Sequence, residues 1–132
     1  MKRVLFLLCS LIFSVYAADN YLTDYKQALA KAKTENKLLA LTVVQNNCPW
    51  CIKFENETLK HKAVSATIKE KFVHVVLNRD TQEIPHGFKA RLVPTTFFVN
   101  ANGEKVADNA IGFFDGKDFM DFLNDAVKKG KK

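Results

Sequence analysis

The sequence predicts an α/β domain: a central mixed sheet of four to five strands flanked by helices on both faces. Three observations carry that prediction. Leu38–Val44 (LLALTVV) and residues 73–77 (VHVVL) are apolar runs rich in β-branched residues, the pattern of strands buried on both faces. Segments with helical character stand before, between and after them. Thr95–Val99 (TTFFV) runs into Asn100-Ala101-Asn102-Gly103, a hairpin signal that returns a last strand antiparallel.

The elements follow in order. Leu22, Tyr25, Leu29 and Ala32 recur with helical spacing, so residues 21–35 read as an amphipathic helix that Asn36 and Lys37 can end. The first buried strand ends in the polar turn Gln45-Asn46-Asn47. Pro49 suits the first turn of a helix, where its missing N–H costs nothing. Residues 52–60 continue that helix, with Cys51, Phe54 and Thr58 along one face. Residues 63–72 form a further helix with Val64 and Ile68 inward, and strand 73–77 follows. Residues 79–91 are mixed; a short helix is expected near 83–89, against which Pro85 argues. Residues 104–111 return as the fourth strand. Asp115 caps a last helix with Phe119, Phe122, Leu123, Ala126 and Val127 on one stripe.

The chain of 132 residues is 48% apolar and 26% charged, which excludes a disordered, collagen-like or disulfide-dense chain. Its length allows one domain and leaves no room for a separate dimerisation unit, so a monomer is expected. Lys2 and Arg3, the apolar run 4–13 and the small residue Ala17 read as a secretory signal peptide over residues 1–17, with Ala18 as the other possible cleavage point. The run is too short for a membrane anchor, which needs roughly 20 apolar residues. Cys9 is expected to leave with it, so the domain covers residues 18–132. The net charge of +6 gathers partly in a tail at 128–132, where Lys128, Lys129, Lys131 and Lys132 suit a helix C-terminus and solubility. No basic face is interleaved with aromatics, so nucleic acid is not an expected partner.

Cys48 and Cys51 remain, spaced C-x-x-C. A disulfide closing so short a loop stabilises little, so the pair calls for a chemical role. An inert short-loop bridge and half of a zinc site are the competing readings. His61, His74 and His86 show no usual ligand spacing with the cysteines, and neither metal nor cofactor is expected.

With C-x-x-C between the first buried strand and its helix, the order of elements resembles thioredoxin. Val93-Pro94-Thr95-Thr96-Phe97-Phe98-Val99 followed by Asn102-Gly103 resembles the cis-proline strand and hairpin of thioredoxin-like proteins, above all the exported reductases of the TlpA and SoxW kind. Val76-Leu77-Asn78-Arg79-Asp80 matches the central strand of that fold. The resemblance covers roughly residues 38–127 and implies a thioredoxin fold and a thiol–disulfide oxidoreductase.

In that chemistry the thiolate attacks, and Cys48 stands where a helix start would stabilise it, as nucleophile. Cys51, one turn in and shielded, would resolve the mixed disulfide and leave Cys48–Cys51 oxidised. The resemblance implies that Pro94 is cis and that the backbone of Val93 pairs with an extended substrate. Pro49 and Trp50 would add to the substrate-contacting rim, Trp50 as an exposed apolar lip or packed back on its own helix. Two departures stand out. Asn47 replaces the family's Trp before the first cysteine, and Pro49-Trp50 replaces Gly-Pro. In addition Thr42 occupies the place of a buried acid that assists the second cysteine. Glu55 is a candidate substitute, with a solvent-exposed helical Glu as the competing reading. The expected setting is the periplasm, with disulfide-containing protein substrates and a membrane electron donor. A binding module or holdase with cysteines that do not turn over is the alternative.

Overall fold

The computed structural model describes residues 21–131. The expected leader over residues 1–17, with Cys9, lies outside the described residues. The elements are α1 (Tyr25–Glu35), β1 (Leu38–Val44), α2 (Pro49–Lys53) running into a π-helical turn (Phe54–Thr58), α3 (Lys62–Lys71), β2 (Phe72–Asn78), β3 (Thr95–Val99), β4 (Ala110–Ile111) and α4 (Gly116–Gly130). The four-stranded sheet has the order β2-β1-β3-β4. Strand β1 is parallel to β2, antiparallel to β3, and β3 is antiparallel to β4. This is the mixed sheet of a thioredoxin fold.

Each face of the sheet has its own core. Leu39, Leu41 and Val43 of β1 point to one face and pack with Val75, Phe97, Phe88 and the small residues Ala28 and Ala32 of α1. Ala40 and Phe98 point to the other, against Phe54, Val64, Phe119 and Leu123 from the π-helical turn, α3 and α4. The α4 stripe behaves as its periodicity predicts: Phe119, Leu123 and Ala126 are buried, and Asp115 caps the helix by accepting from Asp118 N at 2.9 Å.

Four local expectations change. Helix α1 starts at Tyr25 rather than 21, because Asp24 caps it (Gln27 N to Oδ1, 2.8 Å). Leu22 instead lies beside β2, its N–H donating to His74 O and its carbonyl accepting from Val76 N, both at 2.8 Å. No helix forms over 83–89; Pro85 lacks an N–H, and the segment turns with Phe88 N donating to Pro85 O at 3.1 Å. The fourth strand contracts to Ala110–Ile111, with an isolated bridge between Val99 and Lys105. The Asp108-Asn109 pair between them belongs to the residue types that strands disfavour. Lastly, the helix after Cys51 widens: Leu59 N reaches back to Phe54 O at 3.0 Å. That turn keeps both Phe54 and Thr58 inward, Phe54 edge-on to Phe119 and Thr58 donating to the carbonyl of Phe114.

Gly116 opens α4 against the loop before α3. A Cβ there would stand 2.2 Å from Cγ of His61, close to that residue's own backbone and unable to swing clear. Helix propensity alone favours Ala over Gly by about 1 kcal/mol. We expect the contact to win: Gly116→Ala should destabilise by about 1–3 kcal/mol in urea unfolding. Adding His61→Gly, which removes the His61 Cβ at 2.5 Å as well as the ring, should recover more of that loss than His61→Ala. A stabilised single variant would show that the α3–α4 approach is looser than this.

Candidate active site

The chain leaves the C-terminal end of β1, crosses Gln45-Asn46-Asn47 and enters α2 at Pro49. Asn47 holds a left-handed φ of 52°, a conformation that Asn tolerates better than most residues. The end of β2 holds this turn in place. Asp80 accepts from Asn46 N at 2.9 Å, and Asn78 Nδ2 donates to Asn46 Oδ1 at 2.8 Å. Cys48 is therefore delivered in an extended conformation as the residue that caps α2, and its Sγ accepts from Cys51 N at 3.1 Å. An N–H aimed at that sulfur stabilises negative charge on it. Cys48 and Cys51 form a disulfide with their Cα atoms 5.2 Å apart. Exposure does not separate them, at 5% and 8%; the capping contact does.

The Val93–Pro94 peptide is cis. Pro94 is buried and its carbonyl accepts from Gly112 N at 2.7 Å, which ties it to the loop after β4. Val93 is half-buried and Pro49 exposed. Arg79 links this loop to the cysteine turn. Its Nη1 donates to the carbonyls of Ala90 (2.8 Å) and Arg91 (3.3 Å), while Nε and Nη2 donate to Gln45 Oε1. Trp50 is 56% exposed. It packs on Phe113 from the loop before α4, with ring centroids 5.6 Å apart. The Lys53 ammonium lies over both rings, 5.2 Å and 4.8 Å from their centroids.

Residues 25–127 match the family described as thioredoxin-like domain. The chain belongs to the thioredoxin-like family. Among solved structures it is similar to a thioredoxin from Thermus thermophilus, with 22% identity, a TM-score of 0.69 and coverage of 86% of this chain and 91% of that one. A putative disulphide-isomerase from Bacteroides thetaiotaomicron gives 22% identity and a TM-score of 0.69, over 86% of this chain and 98% of that one. The DsbH oxidoreductase gives 20% identity and 0.62, over 85% and 88%. At these identities the likeness is one of fold. Spermatogenesis-associated protein 20 of Rattus norvegicus is 34% identical over 55 residues, which cover 42% of this chain and 7% of that protein's length. A thioredoxin-like chain with a C-x-x-C disulfide supports thiol–disulfide oxidoreductase chemistry in general.

Beneath the disulfide lies a cavity of about 170 Å³ lined by Cys48, Cys51, Thr42 and Glu55 among others. Glu55 is exposed and stands at its rim. Thr42 is buried and bonds inward, 3.0 Å from His74 Nε2 and 2.9 Å from Thr96 Oγ1. His74, Phe113 and the linking role of Arg79 are what sequence reasoning missed. A lone His within the apolar run 73–77 was the available signal for the first. Among the described residues no cluster of three His, Cys, Asp or Glu could hold a metal ion.

Burial pushes the His74 imidazole down from 6.5 to about 4. The unfolded ring takes up a proton near 6.5, whereas the folded one resists until about 4. Its contribution is thus intact above pH 6.5 and is lost as pH falls toward 4. The loss should reach about 3 kcal/mol, measured by urea unfolding across pH 4–7.5. His74→Gln should be less stable overall but flatter over that range. An equally steep acid loss in the variant would place its origin elsewhere.

Proposed function

We propose that this protein is an exported thiol–disulfide oxidoreductase, of the small periplasmic reductase kind, that reduces disulfides in protein substrates as a monomer. The observation that carries this reading is the Cys48 sulfur, which caps α2 and accepts an N–H, in a fold that also holds a cis Val93–Pro94 peptide. Export rests on Lys2 and Arg3, the apolar run 4–13 and Ala17. Electrons would come from a membrane donor.

The cycle uses two exchanges. The Cys48 thiolate attacks one sulfur of a substrate disulfide and expels the other as a thiolate, which takes up a proton. Cys51 then gives up its proton and attacks the Cys48 sulfur. The Cys48–Cys51 bond forms, the mixed disulfide breaks and the substrate leaves with both sulfurs reduced. Two electrons have moved from the protein to the substrate, and the donor restores the dithiol. The substrate backbone docks along Val93 and Pro94. Trp50 and Pro49 form the opposing lip, and the Lys53 cation lies over the Trp50 ring.

Removing Cys51 should trap substrates, because Cys48 still attacks and no second thiol resolves the product. Cys51→Ser expressed in the periplasm should show a ladder on non-reducing gels that excess dithiothreitol collapses. Cys48→Ser should trap far less. The intact protein should reduce insulin with dithiothreitol as donor. The potential of the pair should lie near the reductant range, about −270 mV, rather than about −120 mV. A folded, exported Cys51→Ser that traps nothing would replace catalysis with a binding module or holdase.

A further inference from the structure

We infer that Thr42 and His74 form a proton path between the Cys51 thiol and the protein surface, serving the resolving step. The inference rests on the exchange reaction proposed above. In that step Cys51–SH and the substrate–Cys48 mixed disulfide become the Cys48–Cys51 disulfide and a substrate thiol. The Cys51 proton must leave before its sulfur can attack, since the thiolate is the nucleophile. Cys51 is only 8% exposed. Its thiol borders the cavity of about 170 Å³, which is roomy enough for water and whose largely apolar walls carry the polar groups of Thr42, Gln45, Asn47 and Glu55. Of the polar residues that line it, Thr42 is the buried one.

From Thr42 the path continues. Its hydroxyl stands 3.0 Å from His74 Nε2. His74 in turn lines a second pocket, of about 350 Å³, at the β2 edge of the sheet. A hydroxyl can accept one proton while donating another, and a neutral imidazole can accept on one nitrogen while donating from the other. A proton from Cys51, carried across the cavity by water, passes to Thr42 Oγ1 as Thr42 gives its own to Nε2. The imidazole releases its Nδ1 proton to the outer pocket. Cys51 ends as a thiolate, Thr42 and His74 end neutral, and the proton appears in solvent or on the departing substrate sulfur.

The surroundings favour conduction over storage. With its pKa pushed down to about 4, His74 is neutral at working pH and keeps a lone pair free. Lys69 of α3, Lys31 of α1 and Lys37 just before β1 border the outer pocket, with Glu35 among them. That excess of cations disfavours a proton lodged on the ring. On the inner side Thr42 and Thr96 face it as neutral hydroxyls, and Glu55 stands beyond them at the cavity rim. Tyr21 lines both pockets and meets the His74 ring edge-on at 5.8 Å. Apolar residues fill the rest of β1 from Leu38 to Val44, so Thr42 is the one polar side chain of that strand and stands where it lines the Cys51 cavity. Apolar side chains would pack there without needing partners.

Ellman's reagent separates the two steps on the full chain carrying Cys9→Ser, which leaves Cys48 and Cys51 as its thiols. Attack by Cys48 releases one nitrothiobenzoate, and resolution by Cys51 releases the second. Thr42→Val should slow the second release at least about tenfold near pH 7 and move its pH midpoint upward, because positioned proton-transfer groups contribute about a hundredfold or more and cavity water replaces them in part. The first release should stay unchanged, and Thr42→Ser should restore the second. His74→Gln keeps a hydrogen bond to Thr42 but cannot relay a proton. It should slow the second release alone, which also decides the matter should Thr42→Val not fold. The path is refuted if both releases slow together, if His74→Gln resolves within twofold of the parent, or if Glu55→Gln alone slows resolution. A parent protein that never releases the second thiol would refute the exchange reaction itself.

Discussion

Residues Leu39 to Val43 of β1 are all buried, with a parallel strand on one side and an antiparallel one on the other. Each face of that strand feeds a separate core, so a one-residue slip would exchange Leu39, Leu41 and Val43 with Ala40 and Thr42 and ruin both. Register is therefore tightly held, and with it the point where the strand ends. The turn Gln45-Asn46-Asn47 begins there, and Cys48 opens α2 directly afterwards. A sulfur placed by a doubly buried strand moves little, which an exchange reaction needs, because the attacking and leaving sulfurs must line up.

The same burial makes the polar trio beneath the site costly. Thr42, His74 and Thr96 lie in an apolar sheet, where an unpartnered hydroxyl or imidazole loses its hydration without return. They meet that constraint by bonding to one another at 2.9–3.0 Å. The price of an uncharged His appears in acid, where the unfolded chain gains a proton that the folded one refuses. The network thus ties stability at low pH to the chemistry of the cavity beside Cys51.

Periodicity made α1, β1, β2, β3 and α4 legible in the sequence, because each buries a long, regular face. Asp115 acted as the cap its residue type suggests, whereas Asp24 moved the start of α1 from 21 to Tyr25. What stayed hidden depends on partners distant in the chain. The π-helical turn arises where Phe54 must meet Phe119 and Thr58 must reach Phe114. The retreat of β4 to two residues, and the unhelical stretch around Pro85, follow from short segments with little periodic signal. Trp50 showed the same limit: its exposure could be anticipated, but its partner Phe113 comes from the far end of the fold. The sulfurs and the proline were legible as a motif, whereas the His74 contact required the strands to be laid side by side.

Arg79 shows how a residue outside the motif can govern it. Its guanidinium occupies the gap between the cysteine turn and the proline loop, with Gln45 on one side and the carbonyls of Ala90 and Arg91 on the other. Five N–H donors in a rigid plane can span such a gap, and a lysine ammonium cannot hold both sides at fixed angles. The segment between β2 and β3 lacks a helix of its own, so these carbonyls would otherwise hang on turns alone. By fastening them to Gln45, Arg79 ties the segment that leads to Pro94 to the turn that leads to Cys48. The stretch of chain with the least secondary structure is thus tied to the end of β2 by one side chain and to the core by Phe88.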